Sequence, residues 1–285
     1  SKRVIYFCTL PYAKSSLSFL KMIVRVDLSI ITGNRILTEA KAIINPQHSR
    51  AEIWKMFDEI SPTYDLLNHI LSFGADIYWR RKLIKYLPSS KDVKLLDLAT
   101  GTGDQLITII KKAKQVKSAL GIDMSEEMIR HGTRKIIDKS YAHQVSFMVG
   151  DATDIALKND SIDCITMSFG IRNVIDVEKC LNECHRVLSP SGKILILEFS
   201  TPTNRFLKSL HFFYLRHVLP FIGGMISKKM SAYRYLNKTI ETFPSGTLFC
   251  ELLQKAGFIR QRAIPLTFGV VTLYVGEKLA CEIVQ

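Results

Sequence analysis

The sequence predicts an α/β fold built on a doubly wound parallel sheet, and three observations carry that prediction. From Val93 onward short apolar runs alternate with amphipathic segments of helical period. Leu95-Leu96-Asp97-Leu98-Ala99-Thr100-Gly101-Thr102-Gly103 reads as a strand entering a glycine turn. Twenty residues past Gly103, Gly121-Ile122-Asp123 reads as a second strand ending in an acid.

Taken in order, residues 1–45 form a basic extension, with seven Lys or Arg against Asp27 and Glu39. It could be a transit peptide, an ordered extension or upstream sequence. Residues 46–285 are expected to make a single domain. Its first part, 46–90, is a helical lid, with helices over 51–87 broken at Ser61-Pro62. The core, 91–200, has strands expected near 94–99, 118–122, 145–149, 162–167 and 193–199. Helices are expected near 104–115, 125–138 and 176–188, and Gly192-Lys193 is a turn into the fifth strand. After Ser200 the alternation stops. Residues 203–240 read as a helical, aromatic insertion with a glycine pair at 223–224, placed over the strand ends where a substrate enters. A helix near 246–256 ends at Gly257. Strands near 258–264 and 269–276 then close the sheet as an antiparallel hairpin.

Composition narrows the function classes. A chain of 285 residues with 47% hydrophobic and 23% charged side chains folds as a globular protein. No run of 18 apolar residues lacks charge, so no transmembrane helix is expected. Six cysteines are scattered without a CxxC, which fits free thiols in a reducing compartment. Cys180, Cys184 and His185 share a helix, but core packing explains them better than a metal, and no metal is expected. The net charge of +13 is uneven: residues 97–200 carry 13 basic and 14 acidic side chains, while 1–96 carry 15 and 8, and 201–285 carry 11 and 4. Basic flanks can face nucleic acid or anionic lipid, or be simply solvated. Phe206, Leu207, Leu210, Phe212, Phe213 and Tyr214 sit among those charges and favour a membrane surface or a greasy substrate.

The glycine turn and the acid describe a pocket for a nucleoside-bearing cofactor. Gly101 and Gly103 let the backbone approach a ligand closely, Asp123 can accept both hydroxyls of a ribose, and the helix after Asp104 points its N-terminus at the same place. A dinucleotide site wants a third glycine, yet Asp104, Gln105 and Leu106 follow Gly103. An acid there repels a pyrophosphate and suits a cationic or zwitterionic cofactor such as S-adenosyl-L-methionine. Asp151, in Gly150-Asp151-Ala152 after the third strand, could bond an adenine amino group or cap a turn. Ser168 ends the fourth strand beside the presumed methyl path, or serves as a turn hydroxyl.

Several stretches resemble the ubiquinone/menaquinone biosynthesis C-methyltransferases, over about residues 50–277. They are Tyr64-Asp65-Leu66-Leu67-Asn68 with Leu71-Ser72 and Trp79-Arg80, then Asp97-Leu98-Ala99 with Gly101-Thr102-Gly103-Asp104, then Ser168-Phe169-Gly170-Ile171-Arg172-Asn173-Val174. Arg186-Val187-Leu188, Leu197-Glu198-Phe199-Ser200, Ser231 with Tyr233-Arg234-Tyr235-Leu236, and Ala256-Gly257-Phe258 follow. Two departures stand out. Asp76 occupies a position where the family usually has His, and Ser189-Pro190-Ser191-Gly192 replaces Lys-Pro-Gly-Gly.

The resemblance implies a class I methyltransferase, Rossmann-like fold with an N-terminal helical lid and a helical insertion before the last strands. It implies S-adenosyl-L-methionine held at Gly101, Thr102, Gly103, Asp123, Asp151, Ala152 and Ser168. The implied reaction is C-methylation of a polyprenylated quinol ring, demethylmenaquinol to menaquinol, with a benzoquinol precursor of ubiquinone as the alternative. Carbon becomes nucleophilic once a ring hydroxyl loses its proton. Arg172 is the expected partner of the oxyanion, with a structural salt bridge as its competing role. Tyr64 is the second expected catalytic residue and lies one helical turn from Asn68, which with Asn173 and Tyr233 is expected to meet the substrate. His69 reads as a packed or solvated neighbour rather than a base. The expected partners are a lipophilic quinol and a membrane surface, with a homodimer left open and no nucleic acid. The expected location is cytoplasmic at the inner membrane face, or the mitochondrial matrix. A nucleic-acid methyltransferase lacks its Asn-Pro-Pro-Tyr-type motif here, and the intact glycine turn argues against a non-catalytic scaffold.

Overall fold

Strand and helix alternate as the apolar periods dictate. The computed structural model describes residues 57–59, 61–227 and 230–280, and the side chains of 224–235 lie outside that description. The basic extension also lies outside it. The strands are β1 (Val93–Leu98), β2 (Val116–Asp123), β3 (Val145–Val149), β4 (Ile162–Ser168), β5 (Leu188–Phe199), β6 (Ile259–Leu266) and β7 (Val271–Glu277). They form one sheet in the order β3-β2-β1-β4-β5-β7-β6. The first five run parallel, and β7 runs antiparallel to both β5 and β6.

The helices are α1 (Tyr64–Leu71), α2 (Ala75–Leu83), α3 (Asp104–Lys112), α4 (Glu126–Asp138), α5 (Val177–Val187), α6 (Arg205–Phe213), α7 (Leu219–Ser227), α8 (Met230–Thr242) and α9 (Thr247–Lys255). Strand periodicity sorts the core into two layers. Leu95, Leu195, Leu197, Leu273 and Val275 pack under Trp79, Leu83, Leu106, Ile109 and Ile136 from α2, α3 and α4. Leu96, Ile165, Ile194, Ile196 and Tyr274 pack under Cys180, Leu181, Cys184, Phe249 and Leu253 from α5 and α9. Cys180 and Cys184 are thus core side chains, as expected, and His185 stands edge-on to Phe258 with ring centroids 5.2 Å apart. A third, smaller cluster of Leu67, Leu215, Leu219 and Ile240 joins α1 to the insertion.

Boundaries differ from the sequence expectation at α3 and at β5. Helix α3 stops at Lys112, because Ala113 leaves helical dihedrals (φ −112, ψ 88) and the Gln115 carbonyl accepts from Val93 to start the β1–β2 pairing. Strand β5 begins at Leu188, directly after α5, so Gly192 lies inside an irregularity: Ile162 pairs with Leu188 but Cys164 pairs with Lys193. Within the insertion the Gly223-Gly224 pair falls inside α7. The irregularity comes earlier, as a π-helical turn over Tyr214–Val218. Pro220 has no N–H for the carbonyl four residues back, and a wider turn just before it absorbs the mismatch.

Candidate active site

Strands β1 and β4 are neighbours, yet the chain leaves β1 toward β2 on one side and β4 toward β5 on the other. A crevice opens at such a switch point, outside the carboxyl ends of the strands. Both strands end there in a left-handed non-glycine residue, Ala99 (φ 49) and Phe169 (φ 61), a strained conformation of the kind that clusters at functional sites.

The glycine turn is shaped by contact as well as by dihedral. Gly103 has φ +78, and a Cβ there would stand 2.6 Å from the Phe147 ring. That ring also fills the space beside Gly121 and Gly132. These two glycines, one on β2 and one on α4, provide the close packing that the missing third glycine of a dinucleotide motif would give. The Gly101 amide donates to Asp123 Oδ2 at 2.8 Å, and the Ser125 amide donates to Oδ1 at 2.9 Å. Burial raises the Asp123 pKa, and the Ser125 and Gly101 amides oppose that rise. Each carboxylate oxygen keeps acceptor capacity for a further donor.

A cavity of about 110 Å³ lies against this acid, lined by Gly101, Asp123, Asp151, Ala152 and Ser168 with Tyr64 above them. Asp151 accepts from the Thr153 amide at 2.9 Å, and Ser168 donates to the buried Gln105 Oε1 at 3.0 Å. Two acids, Asp123 and Asp151, and apolar Met124 and Met128 on the wall of one cavity fit a cofactor such as S-adenosylmethionine. Thr102 stands apart: its buried hydroxyl donates to Asp65 Oδ1 at 2.5 Å, away from this cavity wall.

Asp104, read as a match for a cationic cofactor, is engaged elsewhere. It pairs with Lys135, whose ammonium also reaches Asp65 Oδ2 at 2.8 Å and Thr102 Oγ1 at 3.1 Å. Burial works to raise the Asp104 carboxyl, and Lys135 overrides it and holds it below the usual range. The network ties α1 to the glycine turn and to α4. A second tie joins the residue before α4 to the segment before α1, where Ser125 Oγ donates to Asp58 Oδ1 at 2.5 Å.

A larger cavity of about 620 Å³ adjoins the first, and Phe57, Tyr64, Phe169 and Asn173 line both. Trp79, Phe169 and Phe199 form an aromatic wall, with Phe169 and Phe199 centroids 4.7 Å apart. Asn68 and Arg172 also line it, and Asn173 Oδ1 is buried without a partner. Arg172 Nη1 donates to Glu198 Oε1 and to the Phe169 carbonyl, each at 2.6 Å, so the salt bridge weighed against its oxyanion role is present. Arg172 Nε has no partner. Burial raises the Tyr64 phenol, and a hydrogen bond with Asn68 opposes the rise. His69 is indeed a neighbour outside the cavity wall, with Nδ1 2.8 Å from Asp76. Tyr233 falls on α8, at a side chain outside the described residues.

Arg80 and His211 are among the cavity residues that escaped the sequence reading as site residues. Arg80 sits 5.5 Å over the Phe169 ring, with Nε buried, without a hydrogen-bond partner and 3.9 Å from Asp76 Oδ2. Its signal was the Trp79-Arg80 pair, quoted only as part of a motif. His211 on α6 is buried with Nε2 unpartnered, and no local pattern marked it.

Comparison with known proteins agrees with this geometry. The ubiE/COQ5 methyltransferase family matches residues 45–278. The chain is 44% identical to the ubiquinone/menaquinone biosynthesis C-methyltransferase UbiE of Geotalea daltonii, over 80% of this chain and 96% of that one. It is 38% identical to the demethylmenaquinone methyltransferase of Bacteroides fragilis, over 84% and 97%. The fold resembles that of a SAM-dependent methyltransferase from Thermotoga maritima described as a possible histamine N-methyltransferase, with a TM-score of 0.55 and 20% identity over 79% of this chain and 99% of that one. The chain therefore belongs to the ubiE/COQ5 methyltransferase family and is an S-adenosylmethionine-dependent methyltransferase.

Proposed function

We propose that the chain methylates a ring carbon of a polyprenylated quinol, with demethylmenaquinol as substrate and menaquinol as product. The observation that carries this reading is the 620 Å³ cavity, which combines an aromatic wall, buried guanidinium groups and aliphatic sides next to the cofactor pocket. Its size suits a ring and the first part of a tail. Relatives named for demethylmenaquinone favour the naphthalene nucleus, and relatives named for both quinones keep the benzoquinol alternative in view.

S-adenosylmethionine supplies an electrophilic methyl group when bound. The chain's own residues do the rest. Trp79, Phe169 and Phe199 offer flat faces to a flat ring. Tyr64 and Asn173, lining both cavities, set the ring against the cofactor. Arg172 and Arg80, both with little exposed surface, place positive charge where a phenolate develops. Leu67, Leu71, Leu207, Leu215, Leu236 and Ile240 receive the tail.

Phe73 and Phe268, each 81% exposed, line the same cavity together with exposed Leu210. They make an apolar mouth, and exposed Phe206, Phe213 and Phe221 extend it across the insertion. This supports peripheral contact with a membrane that holds the quinol. Among the described residues no helix is long and apolar enough to cross one. The test is methyl transfer from labelled S-adenosylmethionine to short-tailed demethylmenaquinol and to a matched benzoquinol. Transfer to the naphthoquinol is expected, transfer to the benzoquinol alone moves the reading to ubiquinone, and transfer to neither overturns it.

A further inference from the structure

Methylating a quinol carbon requires a group that takes the hydroxyl proton, and the cationic residues at the cavity wall cannot do so. Arg172 and Arg80 stay protonated. Tyr64 has a raised pKa and is a donor. Glu198 is fully buried under Arg172 and outside the wall. His69 lies outside the wall as well. Asp76 reaches the wall, but its oxygens are already engaged, by Ser72 at 2.9 Å and by His69 at 2.8 Å, with Arg80 3.9 Å away.

His211 remains. It is 8% exposed, lines the cavity, and its Nε2 is buried with no hydrogen-bond partner. A buried polar atom left unsatisfied is costly, so a partner arriving with the ligand accounts for it. Its charged neighbours are few. Asp76, Arg80 and Arg172 share the cavity wall, and Lys208 and Arg216 on the insertion hold their cations over Phe212 at 5.6 and 5.2 Å. None of them sets its titration; burial lowers its pKa and keeps the ring neutral at physiological pH.

We propose that His211 is the general base of the reaction, accepting the ring hydroxyl proton on Nε2. The assignment rests on the quinol reading given above. The O–H bond breaks, its electron pair stays on oxygen as a phenolate, and the proton bonds to the imidazole lone pair. After the neighbouring carbon has gained its methyl group, the ring C–H proton leaves to solvent and the imidazolium returns its proton to oxygen. One proton is released per turnover, and the imidazole ends neutral.

Two measurements test the assignment. In the first, His211→Gln and His211→Ala are compared with the wild type for melting temperature, cofactor affinity, and kcat against pH with a short-tailed demethylmenaquinol. The folded variants should bind cofactor normally, lose ~10²–10⁴-fold in kcat and lose the acidic limb that the wild-type profile shows. Added imidazole should restore part of the His211→Ala rate. A retained limb, or a rise in KM alone, overturns the proposal by making His211 only a wall of the tail channel. The second measurement does not depend on turnover. The imidazole resonance absent from His211→Gln spectra should titrate at a shifted pH when the wild type binds a short-tailed naphthol, and an unshifted titration overturns the proposal. Wild-type inactivity toward every quinol, by contrast, counts against the substrate reading and leaves the naphthol titration to decide His211.

Discussion

Arg172 Nη1 meets Glu198 Oε1 at 2.6 Å, with 7% of the arginine side chain and none of the glutamate side chain exposed. Glu198 lies at the end of β5 and Arg172 in the short turn that follows the adjacent β4, so the pair is both a structural strut and the part of the cavity that can hold a negative oxygen. Arg172→Ala should therefore lower the melting temperature, because it leaves a buried carboxylate uncompensated, a loss of about 3–5 kcal/mol. The double variant Arg172→Ala/Glu198→Ala should recover much of that stability but not the turnover, which should stay ~10²–10³-fold down. Thermal melts and rates on all four corners of the cycle separate the roles. Recovery of turnover in the double variant would show that Arg172 serves structure alone.

Asp123 is the acid expected to grip the ribose. Removing it by Asp123→Ala deletes charge-assisted hydrogen bonds of about 1.5–3 kcal/mol each. The affinity for S-adenosylmethionine should fall roughly 10–100-fold, since each 1.4 kcal/mol is tenfold. The sheet should persist, because this half-buried acid ends β2 instead of filling either core layer. Calorimetry on the folded variant checks it, and an unchanged affinity would mean that the ribose lies elsewhere.

The elements that were legible in the sequence are those fixed over short stretches of chain. Gly101, Gly103 and Asp123 come from one strand–turn–helix–strand unit, whose spacing alone brings the acid to the turn. The two core layers follow from residues such as Leu195 and Ile196, which alternate faces by the strand period. Other features depend on distant pieces meeting. Glu198 is 26 residues from Arg172, and Asp65 is 70 from Lys135. No period or motif pairs such residues, so Asp104 was read as facing the cofactor when it faces Lys135. His211 was invisible for the same reason: a histidine on an amphipathic helix looks alike whether it lines a cavity or packs in a core.

Lys135 joins three acceptors from α1, the glycine turn and the start of α3. Lys135→Met keeps the stem and removes the charge. The lid should loosen by about 1 kcal/mol, a value for a partly exposed pair within a network. Amide exchange over residues 64–71 should quicken several-fold, and cofactor affinity should weaken modestly as the lid opens more often. High salt should narrow the difference between wild type and variant. Unchanged exchange on α1 would show that the Leu67 cluster alone secures the lid.

Asp97 provides a pH signature of the core beneath the site. Its carboxylate, 1% exposed, accepts from Thr100 Oγ1 at 2.6 Å and Thr166 Oγ1 at 2.5 Å. Burial nonetheless raises its pKa to about 6, with the two hydroxyls opposing the rise. The folded value lies above the unfolded one of about 3.9, so the native state holds the proton more tightly. The associated stability is complete below about pH 4 and is lost as pH rises through 6, by about 3 kcal/mol in total at 1.36 kcal/mol per pKa unit. Asp97→Asn keeps an acceptor for one hydroxyl and a donor for the other, and removes the titration. Plotted as wild type minus variant, the stability difference should slope downward from pH 4 to 6 and then flatten. Because Asp104 and Asp123 titrate in both proteins, their contributions cancel in that difference. Denaturant melts at half-unit steps from pH 4 to 7.5 make the measurement, and a flat difference would show that Asp97 is ionised throughout.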